Sequence, residues 1–128
     1  MSKSVLGVDV SKMKLDVHLL HDSHAQSETF ENSIKGFRTI RCWLKKNHVS
    51  SLHACLEATG TYGEAISEYL FKAGYQVSVI NPARIKAYGD SQLRRNKTDA
   101  ADARLIADFC LTQNPPLWSP PDPAMREL

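Results

Sequence analysis

Two aspartates three residues apart, Asp99 and Asp102, open what the sequence predicts to be the last helix of the chain. Residues with this spacing lie on one face of a helix, and the same face continues through Ile106 and Phe109. Because this face becomes apolar, we expect the helix to pack on a core with both carboxylates at its rim. Thr98 can cap the helix. Taken alone, Asp99 and Asp102 could therefore be residues that only favour the start of a helix.

Two further acids stand at the ends of apolar segments. Asp9 lies within Val5–Val10, a run rich in β-branched residues that is typical of a buried strand. Glu57 follows another such segment, at 52–56, and precedes a loop that contains glycine. A buried carboxylate is costly unless it is paired or bound to a cation. With Asp99 and Asp102, these residues form a set of four acids that can converge.

Four converging carboxylates would repel one another and raise one another's pKa values, and a divalent cation removes that cost. Oxygen ligands of this kind favour Mg²⁺ or Mn²⁺ over zinc. Two such ions about 4 Å apart are the usual arrangement for phosphodiester chemistry. The four acids therefore predict a site for Mg²⁺ or Mn²⁺, with two ions.

Basic residues gather just before the acidic helix. The segment 83–97 contains a single acid, and its position favours contact with phosphate groups, although a solvated loop or a frayed helix is the alternative. The residues predicted to contact nucleic acid are Lys12, Arg84, Lys86, Arg94, Arg95, Lys97 and Arg104.

Composition sets the limits of these interpretations. A chain of 128 residues with 42% hydrophobic content can form one domain with a real core. A formal charge of +2 is too small to indicate nucleic-acid binding by itself. Cys42, Cys55 and Cys110 lack metal-binding or redox spacing, and we expect buried thiols in a reducing cytosol. No apolar run approaches the roughly 20 residues that span a membrane, so no membrane partner is expected.

The order of predicted elements is β-β-β-α-β-α-β-α, with the third strand near 26–31. A hairpin meander followed by parallel crossovers predicts an α/β fold, with a mixed five-stranded sheet and helices on both faces. Five of the six prolines fall in 115–123. We therefore expect a domain at 1–114, followed at 115–128 by a proline-rich linker and the start of a truncated segment.

Four motifs carry a family resemblance: GVDVSK at 7–12, EATGTYG at 57–63, INPARIKAY at 80–88 and RNKTDAADAR at 95–104. Together they resemble the N-terminal domain of DEDD transposases, the insertion-sequence 110 family, which includes the Piv-type DNA invertases. The resemblance implies a ribonuclease-H-like fold related to the Holliday-junction resolvase RuvC. It also implies that the catalytic, metal-binding acids are Asp9, Glu57, Asp99 and Asp102.

The function that this resemblance implies is metal-dependent cleavage and transfer of DNA strands, in insertion-sequence mobility or site-specific inversion. The implied partners are DNA, a structured guide RNA as in some members, and further copies of the full-length protein. The implied location is the bacterial cytoplasm, at the nucleoid. Family members continue into a second domain with a nucleophilic serine, so we expect this chain to be a fragment that does not recombine DNA alone.

Two other classes of function remain as alternatives. An actin-like ATPase or sugar kinase also places an aspartate near phosphate on its first strand, but it needs a second Asp-x-Gly turn that the sequence lacks. A non-catalytic nucleic-acid-binding or dimerisation module fits the isolated chain even where the parent protein is an enzyme.

Overall fold

The protein forms a five-stranded mixed sheet. The structure is a computed structural model that describes residues 4–58, 60–91 and 99–121. At 99–102 it describes the backbone alone. The strand order is β3-β2-β1-β4-β5. β1, β2 and β3 pair antiparallel, whereas β1, β4 and β5 pair parallel, which confirms the predicted fold class. The strands are β1 (Val5–Val10), β2 (Lys14–His21), β3 (His24–Glu31), β4 (His53–Glu57) and β5 (Gln76–Ile80).

The described residues form four helices: α1 (Ile34–Lys46), α2 (Glu64–Lys72), α3 (Pro82–Ser91) and α4 (Asp99–Gln113). The predicted element order omitted α3, and this omission was wrong. Only Ile85 and Gly89 of α3 are buried, so the segment has no apolar stripe that periodicity could detect. Its start is marked locally, because Pro82 suits a first helical turn and the Asn81 side chain accepts a hydrogen bond from the Ala83 amide at 2.8 Å.

Alternating residues of the sheet build one core on each face. On one face Leu6 and Val8 pack in a cluster with apolar residues of α1 and α2. On the other face Val5 belongs to a cluster with Ile85 of α3 and Ile106 of α4. Helices therefore cover both faces, as the sequence predicted.

Gly7 allows α4 to rest directly on β1. A Cβ atom at Gly7 would lie 2.2 Å from the Ala103 carbonyl oxygen and 2.4 Å from the Ala107 nitrogen. Real Cβ atoms do not come so close to backbone atoms, so only glycine fits this position. The small residues of α4 and Gly7 together bring the helix axis close to the first strand.

A disulfide joins Cys55 on β4 to Cys110 on α4, with 5.9 Å between their Cα atoms. Both residues are fully buried. Cys42 is exposed, so the expectation of three buried thiols was wrong. Its position in α1 lies outside the stripe that Phe37, Ile40 and Leu44 bury.

The residues that follow α4 run along β5. The Trp118 amide donates to the Val77 carbonyl at 2.7 Å, and the Ser78 hydroxyl donates to the Pro116 carbonyl at 2.7 Å. The Trp118 ring packs edge-on against Phe71, with 6.1 Å between ring centroids. A domain boundary at 114 stays a prediction.

None of the helices within the described ranges is both long enough and apolar enough to cross a membrane.

Substituting Gly7→Ala should move α4 away from β1 and lower the free energy of unfolding by about 1–3 kcal/mol, the usual range for overpacking. Urea denaturation monitored by circular dichroism measures this loss. The matched control is Gly89→Ala, where the nearest atom is the end of the flexible Leu105 side chain at 2.9 Å. That variant should be neutral or slightly stabilising, since alanine favours helices. Equal stability of Gly7→Ala and the native chain would contradict the close contact.

Because Cys55 and Cys110 are joined, we expect one reactive thiol per chain, that of Cys42, when the oxidised protein is denatured. After reduction we expect three. The loop between the paired cysteines spans 55 residues, so reduction should lower the free energy of unfolding by about 2–4 kcal/mol. Thiol titration and thermal unfolding with and without a reductant measure both effects. Cys42→Ser, the control, should remove the single reactive thiol and leave the effect of reduction unchanged.

Candidate active site

Asp9 and Glu57 lie side by side at the carboxyl ends of two parallel strands. The register of β1 and β4 pairs Val8 with Leu56, and the two acids are the next residues along each strand. Both acids are half-buried. This arrangement places two carboxylates at one edge of the sheet.

The two acids point to the face of the sheet that α4 covers. Asp9 shares a face with Gly7, which contacts the α4 backbone, and Glu57 shares a face with Cys55, which is bonded to α4. The helix runs antiparallel to β1, because Ala103 lies over Gly7 while Cys110 lies near the start of β4. The first turn of α4 therefore lies towards the ends of β1 and β4.

Asp99 and Asp102 occupy that first turn, since α4 begins at Asp99. Their side chains lie outside the part of the chain that the structure describes, so the convergence of all four acids stays a prediction. The apolar continuation of their face is confirmed, because Ile106 and Phe109 are 0% and 3% exposed.

The donor set at this edge fits a hard divalent cation. Asp9 and Glu57 offer carboxylate oxygens from adjacent strands, and no sulfur or imidazole stands beside them in the register. Half-buried carboxylates this close to one another repel unless a cation or hydrogen bonds offset the charge. Carboxylate oxygens are the donors that hard divalent cations prefer.

Asn32 ties together two loops at this edge, and sequence reasoning missed it. Its side-chain amide donates to the Ser11 carbonyl at 2.8 Å and to the Tyr62 carbonyl at 3.1 Å. The first contact holds the β1–β2 turn, which carries the exposed Lys12, and the second holds the loop after β4. No local pattern could have identified Asn32, because both partners are backbone atoms distant in sequence.

The predicted nucleic-acid contacts are dispersed. Lys86 and Arg84 are exposed on α3, and the Arg84 guanidinium lies 5.4 Å from the centre of the Phe109 ring. Phe109 lies about 10 Å along the helix from Asp102, so Arg84 stands away from the acids. Arg104 is exposed on α4, directly after the first turn. Arg94, Arg95 and Lys97 lie outside the described residues.

His18 lies beneath α4, opposite Gly7 on the neighbouring strand. Its Nδ1 atom lies 2.7 Å from the Ser27 hydroxyl. Burial lowers the pKa of His18, and the positive charge of Arg104 lowers it further. The imidazole is therefore kept neutral next to a cationic residue of the helix.

A second cluster of ligand-type side chains lies deeper in the core. One ligand atom from each of His53, Cys55 and Cys110 falls within 4.8 Å of the others. The two sulfurs are joined as a disulfide, and the His53 Nε2 atom lies 2.7 Å from the Ser78 hydroxyl. Because bonded sulfurs are not thiolate ligands, this cluster holds the sheet and helix together and is not a metal centre.

A family profile described as a transposase, of the DEDD, insertion-sequence 110 type, matches residues 6–128. The pilin gene-inverting proteins of Moraxella bovis and Moraxella lacunata are each 38% identical over 122 residues. Those matches cover 94% of this chain, and the chain spans 38% of the length of these curated relatives.

Among solved structures, T. thermophilus RuvC in complex with a Holliday junction substrate superposes with a TM-score of 0.58 at 15% identity. The match covers 87% of this chain and 96% of that chain. At this identity the likeness concerns the fold, and it confirms the predicted ribonuclease-H-like, RuvC-like architecture.

The lowered pKa of His18 predicts how stability depends on pH. The unfolded chain takes up a proton near the ordinary histidine pKa of about 6.5, whereas folded His18 resists it. Above that pH, His18 does not reduce the free energy of unfolding. As the pH falls below it, the free energy of unfolding decreases, by at most about 1.4 kcal/mol per pH unit. His18→Gln should flatten the dependence of the unfolding free energy on pH between 7 and 5.5.

Urea denaturation at a series of pH values measures this slope. His24→Gln is the matched control, because His24 is exposed at the hairpin turn. An identical pH dependence in His18→Gln and the native chain would mean that His18 has the same pKa in the folded and unfolded chain.

Proposed function

The chain belongs to the DEDD transposase family of the insertion-sequence 110 type, and we propose that it forms the metal-dependent DNA-cleaving domain of a recombinase. The observation that carries this proposal is the position of Asp9 and Glu57. They lie at adjacent strand ends, facing a helix that begins with Asp99. Because the chain belongs to a transposase family, we no longer retain the alternative of an actin-like ATPase or sugar kinase.

In this proposal Asp9, Glu57, Asp99 and Asp102 hold Mg²⁺ or Mn²⁺, as two ions. A bound divalent cation activates the attacking oxygen and stabilises negative charge on the phosphate. The protein contributes rigid positions for the carboxylates, since β1 and β4 are central strands and α4 is fixed on them at Gly7 and Cys55. The amino-terminal end of α4 also carries a partial positive charge, which offsets repulsion among the acids.

DNA is the proposed substrate. The relatives' name indicates inversion of a DNA segment, and the solved RuvC structure holds a Holliday junction. We extend both to this chain as a preference for branched DNA. The exposed Lys12, in the turn after β1, and the exposed Arg104, directly after the first turn of α4, would contact its phosphates. Contact with a structured guide RNA and assembly of several copies belong to the same proposal, as does action at the bacterial nucleoid. Strand exchange would also need the serine of a following domain.

Removing either described acid should weaken cation binding. Asp9→Asn and Glu57→Gln each keep the shape of the side chain and remove one anionic ligand, so we expect the Kd for Mn²⁺ to rise by about tenfold or more. Isothermal titration calorimetry at constant pH and ionic strength measures the Kd.

The matched control for this charge change is Asp22→Asn. Asp22 is exposed in the β2–β3 turn with a φ of 52°, a conformation that asparagine tolerates. Its Kd should equal that of the native chain. Unchanged binding in Asp9→Asn would refute the proposed metal centre and leave the alternative of a non-catalytic binding module.

The segment before α4 should supply the salt dependence of DNA binding. Replacing Arg94, Arg95 and Lys97 together by glutamine should reduce the slope of log K against log salt by up to about three units, at about 0.9 per phosphate contact. Fluorescence anisotropy with a four-way junction, repeated over several salt concentrations, measures the slope.

A triple variant on α1, which covers the face of the sheet opposite α4, controls for net charge. Arg38, Lys45 and Lys46 are exposed on α1, and their replacement by glutamine removes the same charge. We expect a much smaller change of slope in that variant. Equal changes in the two triple variants would mean that the segment before α4 makes no specific phosphate contact.

A further inference from the structure

The register of the sheet places a fifth carboxylate beside the proposed centre. β1 and β2 pair antiparallel with Asp16 directly opposite Asp9. Side chains opposite each other in such a pair share a face, with Cβ atoms about 4.5–5.5 Å apart. Like charges at this spacing repel each other, and a cation bound between them offsets the repulsion.

Asp16 lies on the face that α4 covers. Its partner Asp9 shares that face with Gly7, and His18, two residues further along β2, lies opposite Gly7. Asp16 also lines a surface groove with Ala103, the residue that follows Asp102 in α4. Asp16, Asp9 and Glu57 thus form one row across three adjacent strands, beneath the start of α4.

Contacts with the outer strand β3 and with β2 itself hold the Asp16 carboxylate in place. The Thr29 hydroxyl donates to its Oδ1 atom at 2.6 Å, and the exposed Lys14 ammonium lies 3.9 Å from Oδ2. The side chain is 22% exposed. Thr29 stands opposite Asp16 on β3, so the outer strand fixes the orientation of the carboxylate.

We propose that Asp16 supports the metal centre through its negative charge, which strengthens cation binding by Asp9 and Glu57. The inference rests on the proposed function, and it assigns to Asp16 a part beyond the four acids of the family motif. A carboxylate one strand away lies well within the screening length of about 8 Å at physiological salt, so its attraction for a divalent cation persists. A bound cation would also offset the like charges of Asp9 and Asp16.

Substituting Asp16→Asn tests the charge alone, because the asparagine oxygen can still accept the hydrogen bond from Thr29. We expect the Kd for Mn²⁺, measured by calorimetry on the 128-residue chain, to rise about tenfold, the lower end for residues that support metal ligands. Asp16→Glu keeps the charge and should stay within about threefold of the native chain. Asp16→Ser, a second neutral variant, should lose affinity as Asp16→Asn does.

Thr29→Val separates this role from a purely structural one. It removes the hydrogen bond and keeps the charge, so the charge role predicts a Kd within about twofold of the native value. A structural role predicts the same loss as in Asp16→Asn. Asp22→Asn again controls for net charge, and circular dichroism verifies that each variant is folded.

The outcomes distinguish this inference from the proposed function. Native affinity in Asp16→Asn, together with weakened binding in Asp9→Asn, would overturn the role of Asp16 and leave the metal centre intact. Equal losses in Thr29→Val and Asp16→Asn would also overturn it, in favour of a structural role. Native affinity in Asp9→Asn would refute the metal centre itself.

Discussion

The contact between Gly7 and the backbone of α4 is the constraint on which the rest of the structure depends. Without a Cβ atom at this position, the strand meets the Ala103 carbonyl and the Ala107 nitrogen directly. The Cys55–Cys110 disulfide fixes the other half of the helix to β4. Two fixed points on neighbouring strands determine both the direction and the register of α4. Its first turn is thereby held towards the strand ends that carry the acids.

A row of three acids places like charges on adjacent strands, and burial of the opposite face of the sheet offsets their repulsion. Asp9, Asp16 and Glu57 are half-buried carboxylates on three adjacent strands, an arrangement that would weaken an isolated sheet. On the opposite face of β1, Leu6 and Val8 are fully buried against residues of α1 and α2. Burial of that apolar face stabilises the sheet independently of the charges. The fold can therefore carry repulsive charge at one edge without losing its order.

Sequence patterns predicted those parts of the fold that depend on local periodicity. Ile106 and Phe109 follow a regular helical repeat, whereas Val5–Val10 is a continuous apolar run, and both elements appear as expected. Helix α3 lacks such a repeat and was missed. The placement of Asp16 depends on the register between strands, and the Cys55–Cys110 pairing depends on contacts 55 residues apart. Neither can be inferred from the spacing of residues along one element.

The position of the acid edge within the sheet explains why these residues can act together. β1 pairs antiparallel with β2 on one side and parallel with β4 on the other, so the direction of the connections changes at β1. Crevices at such points form beyond the carboxyl ends of the parallel strands. Asn32 holds the adjoining loops at Ser11 and Tyr62, which keeps the β1–β2 turn beside the edge. The sheet topology thus creates an open edge, and Gly7 directs the start of α4 towards it.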